Sequence, residues 1–168
     1  MIVVVMGVSG AGKTTVGNAL AQSFGWEFLD ADEFHPARNV SRMAAGIPLT
    51  DADRWPWLDR LNGELRARDA KGAHAVLACS ALKEAYRARL MAQLRGVRLV
   101  FLRGEFEAIH ARIQARKHKY MPASLLQSQF DTLEPPANAL EIDAALNLPE
   151  AVQRIAEDLA RTGRSHTP

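Results

Sequence analysis

Residues 7–14 read GVSGAGKT, directly after the apolar run Ile2–Met6. The spacing G-x-x-x-x-G-K-[ST], with a strand-like run before it and a helical pattern after it, is a phosphate-binding loop in the context that loop needs. Gly7, Gly10 and Gly12 let the backbone turn tightly and aim its N–H groups at phosphate oxygens. Gly7, Val8, Ser9, Gly10, Ala11, Gly12, Lys13, Thr14 and Thr15 are therefore expected to hold a nucleotide. A helix starting near Lys13 points its positive end at the anion. Lys13 is expected to reach the β- and γ-phosphates, and Thr14 to put a hydroxyl on Mg²⁺. With Gly at about 7 % of residues, a chance match in a chain this long occurs roughly once in a few hundred.

What faces the γ-phosphate decides the reaction. The next strand-like run ends in Asp30-Ala31-Asp32. In an open parallel sheet ligands bind at the carboxyl ends of strands, and period-2 alternation puts both acids on one side. One of the two carboxylates can help hold the metal. The other can accept the proton of an attacking hydroxyl. His35, Arg38 and Asn39 follow and suit a polyol or acid substrate, although His35 is equally placed to cap a helix. Arg54 can clamp a ligand carboxylate or form a surface pair with Asp51. Trp55 and Trp57 read as core or cavity wall. Ser80, Lys83 and Arg87 share a face at i, i+3, i+7 if a helix runs over 81–94. Cys79 stands where many phosphate-loop proteins keep a metal-binding acid, so the metal falls to Thr14 and Asp30. Arg112, Arg116, Lys117, His118 and Lys119 form a basic run before Tyr120-Met121-Pro122. Such a run suits a mobile lid, expected over about 116–124, that neutralises charge on a transferring phosphoryl group.

The elements that must position these groups alternate. Strands are expected at Ile2–Met6, Glu27–Leu29, Ala73–Ala78, Arg98–Leu102 and Leu140–Asp143, with helical patterns between them. That order predicts an α/β fold: three layers, α/β/α, around a five-stranded parallel sheet, with residues 1–168 as one domain. Helix signals include Gly25 as a stop after Phe24, Pro36 as a start, and Thr50 with Asp53 as a capping box. Leu58, Leu61 and Leu65 repeat at helical spacing behind that box, as do Val152, Ile155 and Leu159 near the end.

Bulk properties exclude several classes. The 168 residues carry 21 basic and 19 acidic side chains, a net charge of +2, too small for nucleic acid to be the main partner. Basic–aromatic interleaving for single strands is also missing. The single cysteine leaves no intrachain disulfide and fits a reducing cytosol. No apolar run approaches the ~20 residues of a membrane span, and the amino terminus lacks a signal-peptide pattern.

Together the stretches MGVSGAGKTT, FLDADEFHPARN, GIPLTDADRWPWL, CSALKEAYR, LRGEFEAIHARIQARK and LLQSQFDTLEPP resemble the gluconate kinase family, within the shikimate kinase and nucleoside monophosphate kinase-like group. The likeness spans about residues 2–160. It implies ATP and Mg²⁺ as reactants and D-gluconate as acceptor, phosphorylated at its 6-hydroxyl to give 6-phosphogluconate and ADP. It also implies a cytoplasmic enzyme, commonly a homodimer. By this resemblance Lys13, Asp32 and Arg116 are catalytic and Asp30 lies near the metal. Arg112 and Arg116 attend the nucleotide, and Asp32, His35, Arg38, Arg54, Lys83 and Arg87 attend the acceptor. One departure is visible: the family's usual Arg-Lys-Gly-His-Phe lid reads Arg116-Lys117-His118-Lys119-Tyr120 here. Rival readings are a kinase of another small hydroxy acid such as shikimate, and a nucleotide switch without transfer chemistry. The chain lacks an N-K-x-D stretch for guanine, which disfavours a GTP switch.

Overall fold

Five consecutive apolar residues cannot alternate between core and solvent, so Ile2–Met6 has to be covered on both faces. In the computed structural model, which describes residues 1–115 and 122–164, this run is β1, and all five side chains are buried. It is the middle strand of a parallel sheet ordered β2-β3-β1-β4-β5. The flanking strands are β2 (Glu27–Asp30), β3 (Ala75–Ala78), β4 (Val97–Arg103) and β5 (Leu140–Asp143). Val4 pairs with Leu77 on one side and Leu99 on the other.

Alternation along β1 splits the core in two. Val3 and Val5 enter one cluster, and Ile2, Val4 and Met6 enter the other. The first is covered by α1 (Lys13–Phe24), α5 (Phe106–Gln114), α6 (Ala123–Thr132) and α7 (Leu148–Arg164), through Leu20, Ile109, Ile113, Leu126 and Ile155. The second is covered by α3 (Asp51–Ala70) and α4 (Glu84–Leu90), through Leu58, Leu61, Leu65, Tyr86 and Leu90. The expected three-layer α/β arrangement is what forms. The short α2 (Ala37–Ala44) begins after Pro36, and the box at the head of α3 closes as its spacing predicts. Thr50 Oγ1 accepts from the Asp53 N–H at 3.2 Å, and Asp53 Oδ2 accepts from the Thr50 N–H at 2.9 Å.

Three local expectations change. β3 starts at Ala75, not Ala73, and the amino-terminal ammonium hydrogen-bonds His74 at 2.9 Å. Helix α4 starts at Glu84 and stops at Leu90, shorter than the expected 81–94. The late start follows from Ala81, whose φ of 45° is left-handed and breaks helical continuity after Ser80, and at the other end Gln93 is also left-handed, with a φ of 61°. Helix α6 was not signalled by strong caps and is an addition to the expected set. The predicted lid residues Arg116, Lys117, His118, Lys119 and Tyr120 lie outside the described residues.

Candidate active site

The loop between β1 and α1 closes against β4 and α5, which explains its glycines. A Cβ on Gly7 would meet the Leu102 carbonyl oxygen at 2.8 Å, and one on Gly10 would meet Ile113 at 2.7 Å; both residues also have positive φ. Val8 and Ala11 turn their side chains into the core, so any part they take in anion binding is through the backbone. Ser9, Gly10, Gly12, Lys13, Thr14 and Thr15 line a cavity of about 290 Å³ together with Asp30, Asp32 and Ser80. Lys13 Nζ donates to the Val8 carbonyl at 3.0 Å, which curls it over the loop.

The donor set on this cavity fits a hard, hydrated cation. Thr14 Oγ1 donates to Asp30 Oδ2 at 3.0 Å, bringing a hydroxyl and a carboxylate together on the cavity wall. Among the described residues no cluster of three or more metal-ligating side chains occurs. Two protein oxygens, with phosphate and water completing the shell, match the way Mg²⁺ is held at nucleotide sites. Asp30 and Asp32 reach the same cavity by a different route from the expected alternation. β2 ends at Asp30, and a 3₁₀ turn, Ala31–Phe34, carries Asp32 around. Asp30 Oδ1 caps that turn by accepting from the Asp32 N–H at 3.1 Å.

A second cavity of about 370 Å³ adjoins the first. Ser9, Asp32 and Ser80 line both, so Asp32 is the carboxylate the two cavities share. Its other walls include His35, Arg54, Trp57, Leu49, Tyr86 and Gln129. His35 stacks on Trp57 with ring centroids 4.2 Å apart, and Trp57 Nε1 is held by the Ala31 carbonyl at 2.8 Å. Burial holds the His35 imidazole below its usual range, Arg54 adds to that, and Asp32 opposes it. His35 is thus a cavity wall and not the cap of α2, whose N-cap is Pro36. Arg54 Nη1 donates to the Leu49 carbonyl at 2.6 Å and lies 3.5 Å from the Tyr86 hydroxyl. That leaves a pre-aimed guanidinium on the wall, with part of its donor fork turned to protein.

Three expected acceptor contacts do not reach this cavity. Arg38 is exposed and lies 4.0 Å from Asp53. Lys83 donates to both Asp51 oxygens at 3.1 Å, and the Tyr86 hydroxyl also donates to Asp51. These two groups, Tyr86 first, hold the Asp51 carboxyl below the ordinary carboxylate range. Arg87 is 1 % exposed, with Nη1 donating to the Ala81 and Leu82 carbonyls at 3.0 Å each. The cationic stripe expected over the site therefore dissolves: Lys83 is an N-cap residue, and Arg87 is a buried brace for the turn after β3. Arg112 likewise braces, donating to Ala144 O at 2.7 Å and lying 3.4 Å from Gly10 O. Cys79 is buried, and burial pushes its thiol up to about 12, which removes it as a nucleophile.

Gln129 on α6 is the contact that sequence reasoning passed over. Its Oε1 accepts from the Ser9 N–H at 2.7 Å, and its Nε2 donates to Ser9 Oγ at 3.0 Å. This ties the acceptor wall to the phosphate loop. The available signal was Leu126 and Phe130 at i, i+4 after Pro122, an apolar helical repeat that leaves Gln129 beside it.

Comparison with known proteins narrows the reading. Residues 2–136 match a family model described as an AAA domain. A gluconokinase from Gluconobacter oxydans is 47 % identical, over 80 % of this chain and 76 % of that protein. A probable gluconokinase from Mus musculus is 43 % identical, over 94 % of this chain and 97 % of its own length. The crystal structure of a gluconokinase from Sinorhizobium meliloti 1021 superposes with a TM-score of 0.84 at 41 % identity, covering 95 % of each chain.

Proposed function

The chain belongs to the AAA-domain family and to the gluconokinases within its reach, and from that premise we propose how its residues divide the work of phosphorylating gluconate with ATP. The observation that carries the proposal is Asp32, the carboxylate common to the phosphate cavity and the acceptor cavity. A hydroxyl bound in the second cavity and a γ-phosphate bound in the first must meet beside it.

The loop N–H groups and Lys13 hold the triphosphate, and Thr14 and Asp30 would hold Mg²⁺. When bound there, Mg²⁺ supplies charge neutralisation on the phosphate oxygens. The acceptor lies along Trp57 and His35, with its carboxylate toward the Arg54 guanidinium. Its 6-hydroxyl then lies against Asp32, which orients it and accepts its proton as the oxygen attacks the γ-phosphorus in line and the bond from that phosphorus to the bridging oxygen breaks, releasing ADP. Lys13 stabilises charge on the phosphoryl oxygens, and Arg116, by the family likeness, is the lid cation that joins it. Arg38, Lys83 and Arg87 have no part in acceptor binding in this scheme. The family likeness also supports a cytoplasmic homodimer.

Asp32→Asn tests the proposal. General-base assistance contributes roughly 10²–10⁴-fold. Turnover should fall by that range while ATP affinity, measured by calorimetry, stays nearly unchanged. Full activity in Asp32→Asn would remove Asp32 from the mechanism.

A further inference from the structure

Asn39 is 2 % exposed and does not line the acceptor cavity, yet its amide reaches a residue that does. Its Nδ2 lies 2.9 Å from the Asp53 carbonyl and 3.3 Å from His35 Nδ1. The backbone carbonyl can only accept, so it fixes which end of the Asn39 amide carries the hydrogens. One N–H goes to Asp53, and the other points at His35 Nδ1. That ring nitrogen must therefore carry a lone pair, and in a neutral imidazole the proton is then on Nε2. The charged form, with N–H on both nitrogens, would set hydrogen against hydrogen. Burial and Arg54 also disfavour it, while Asp32 favours it. The amide is itself anchored, because Asp53 belongs to the box that caps α3.

We propose that Asn39 is a positioning residue that locks His35 in the Nε2–H tautomer. The acceptor cavity thereby presents one fixed N–H donor to an oxygen of the sugar acid. The ring is held from two more directions, by its stack on Trp57 and by the turn whose carboxyl end it caps. A fixed donor rejects an acceptor that lacks the matching oxygen, since the buried N–H is then unpaired. The substrate half of this inference rests on the gluconate reading; the tautomer half does not.

Long-range ¹⁵N–¹H correlation spectra of the intact protein at neutral pH read the tautomer directly. His35 should show a pyrrole-type Nε2 and a pyridine-type Nδ1, and the reverse pattern would overturn the lock. Asn39→Ala should collapse that pattern toward a mixture and raise the KM for gluconate about three- to ten-fold, the loss of roughly one hydrogen bond, with the KM for ATP unmoved. An unchanged His35 spectrum in Asn39→Ala would remove Asn39 from the role. If that variant does not fold, His35→Gln and His35→Asn decide. The Gln amide reaches the Nε2 position and should keep the gluconate KM within about three-fold, whereas Asn should not. Equal or better function in His35→Asn would overturn the inference. A protein that shows the Nε2–H pattern but phosphorylates no gluconate would sink the acceptor assignment and leave the tautomer lock standing.

Discussion

Replacing Arg87 by Ala should damage the fold before it damages acceptor binding. The guanidinium is 1 % exposed, and its Nη1 reaches two buried carbonyls at 3.0 Å. The two losses are unequal. The Leu82 carbonyl keeps the Glu134 N–H at 2.9 Å, so it loses one of two partners. The Ala81 carbonyl loses its charged donor in a turn already strained by a φ of 45°. A hydrogen bond from a charged donor is worth about 1.5–3 kcal/mol, and orphaning a buried acceptor falls in the same range. The pair with Glu84 adds little, because that carboxylate is largely exposed. The sum is about 3–6 kcal/mol, which for a chain of this length lowers Tm by roughly 6–24 °C. Differential scanning calorimetry of Arg87→Ala, alongside steady-state kinetics below its melting point, tests this. An unchanged Tm with a gluconate KM raised a hundred-fold would mean that the guanidinium faces substrate, and the reasoning from burial would be refuted.

Gln129→Ala removes both hydrogen bonds to Ser9 and leaves a loop N–H without its partner. The cost of about 2 kcal/mol should appear as a fall of roughly 30-fold in kcat/KM, and unchanged kinetics would show that the clamp is incidental. The pH dependence of stability should carry a His35 component. Its folded-state pKa lies below the unfolded value near 6.5, so the unfolded chain takes up the proton first. The stability this contributes is full above about pH 6.5 and is lost as pH falls through the folded pKa. Between pH 7.5 and 5.5 the wild-type Tm should drop more steeply than that of His35→Gln; parallel curves would contradict the burial argument.

The legible parts of this chain are those where residue type and backbone geometry are tied together. Gly7 and Gly10 mark places where a Cβ would collide, and the apolar run of β1 marks a strand covered on both faces. Thr50 and Asp53 announce their own capping box. Residue type alone singles out Asp30 and Asp32 as candidates, although a 3₁₀ turn and not strand alternation brings them to one cavity. The cationic stripe failed for a definite reason. Spacing arguments assume a regular helix, and nothing about Ala81 signals the left-handed turn that delays α4 to Glu84. Once that turn exists, the nearest carbonyls claim Arg87, and Asp51 claims Lys83. Gln129 was hidden because its partner is 120 residues away in the chain, a long-range pairing that local pattern does not encode.

The most direct test of the central claim is ADP release with Mg·ATP across a panel of D-gluconate, shikimate, glucose and nucleoside monophosphates, with the product identified by mass and phosphorus NMR. Strong stimulation by D-gluconate alone, yielding the 6-phosphate ester, is the expected result. Stimulation by shikimate or another acceptor in its place, or ATP binding with no stimulated release, would contradict the assignment of the second cavity to gluconate.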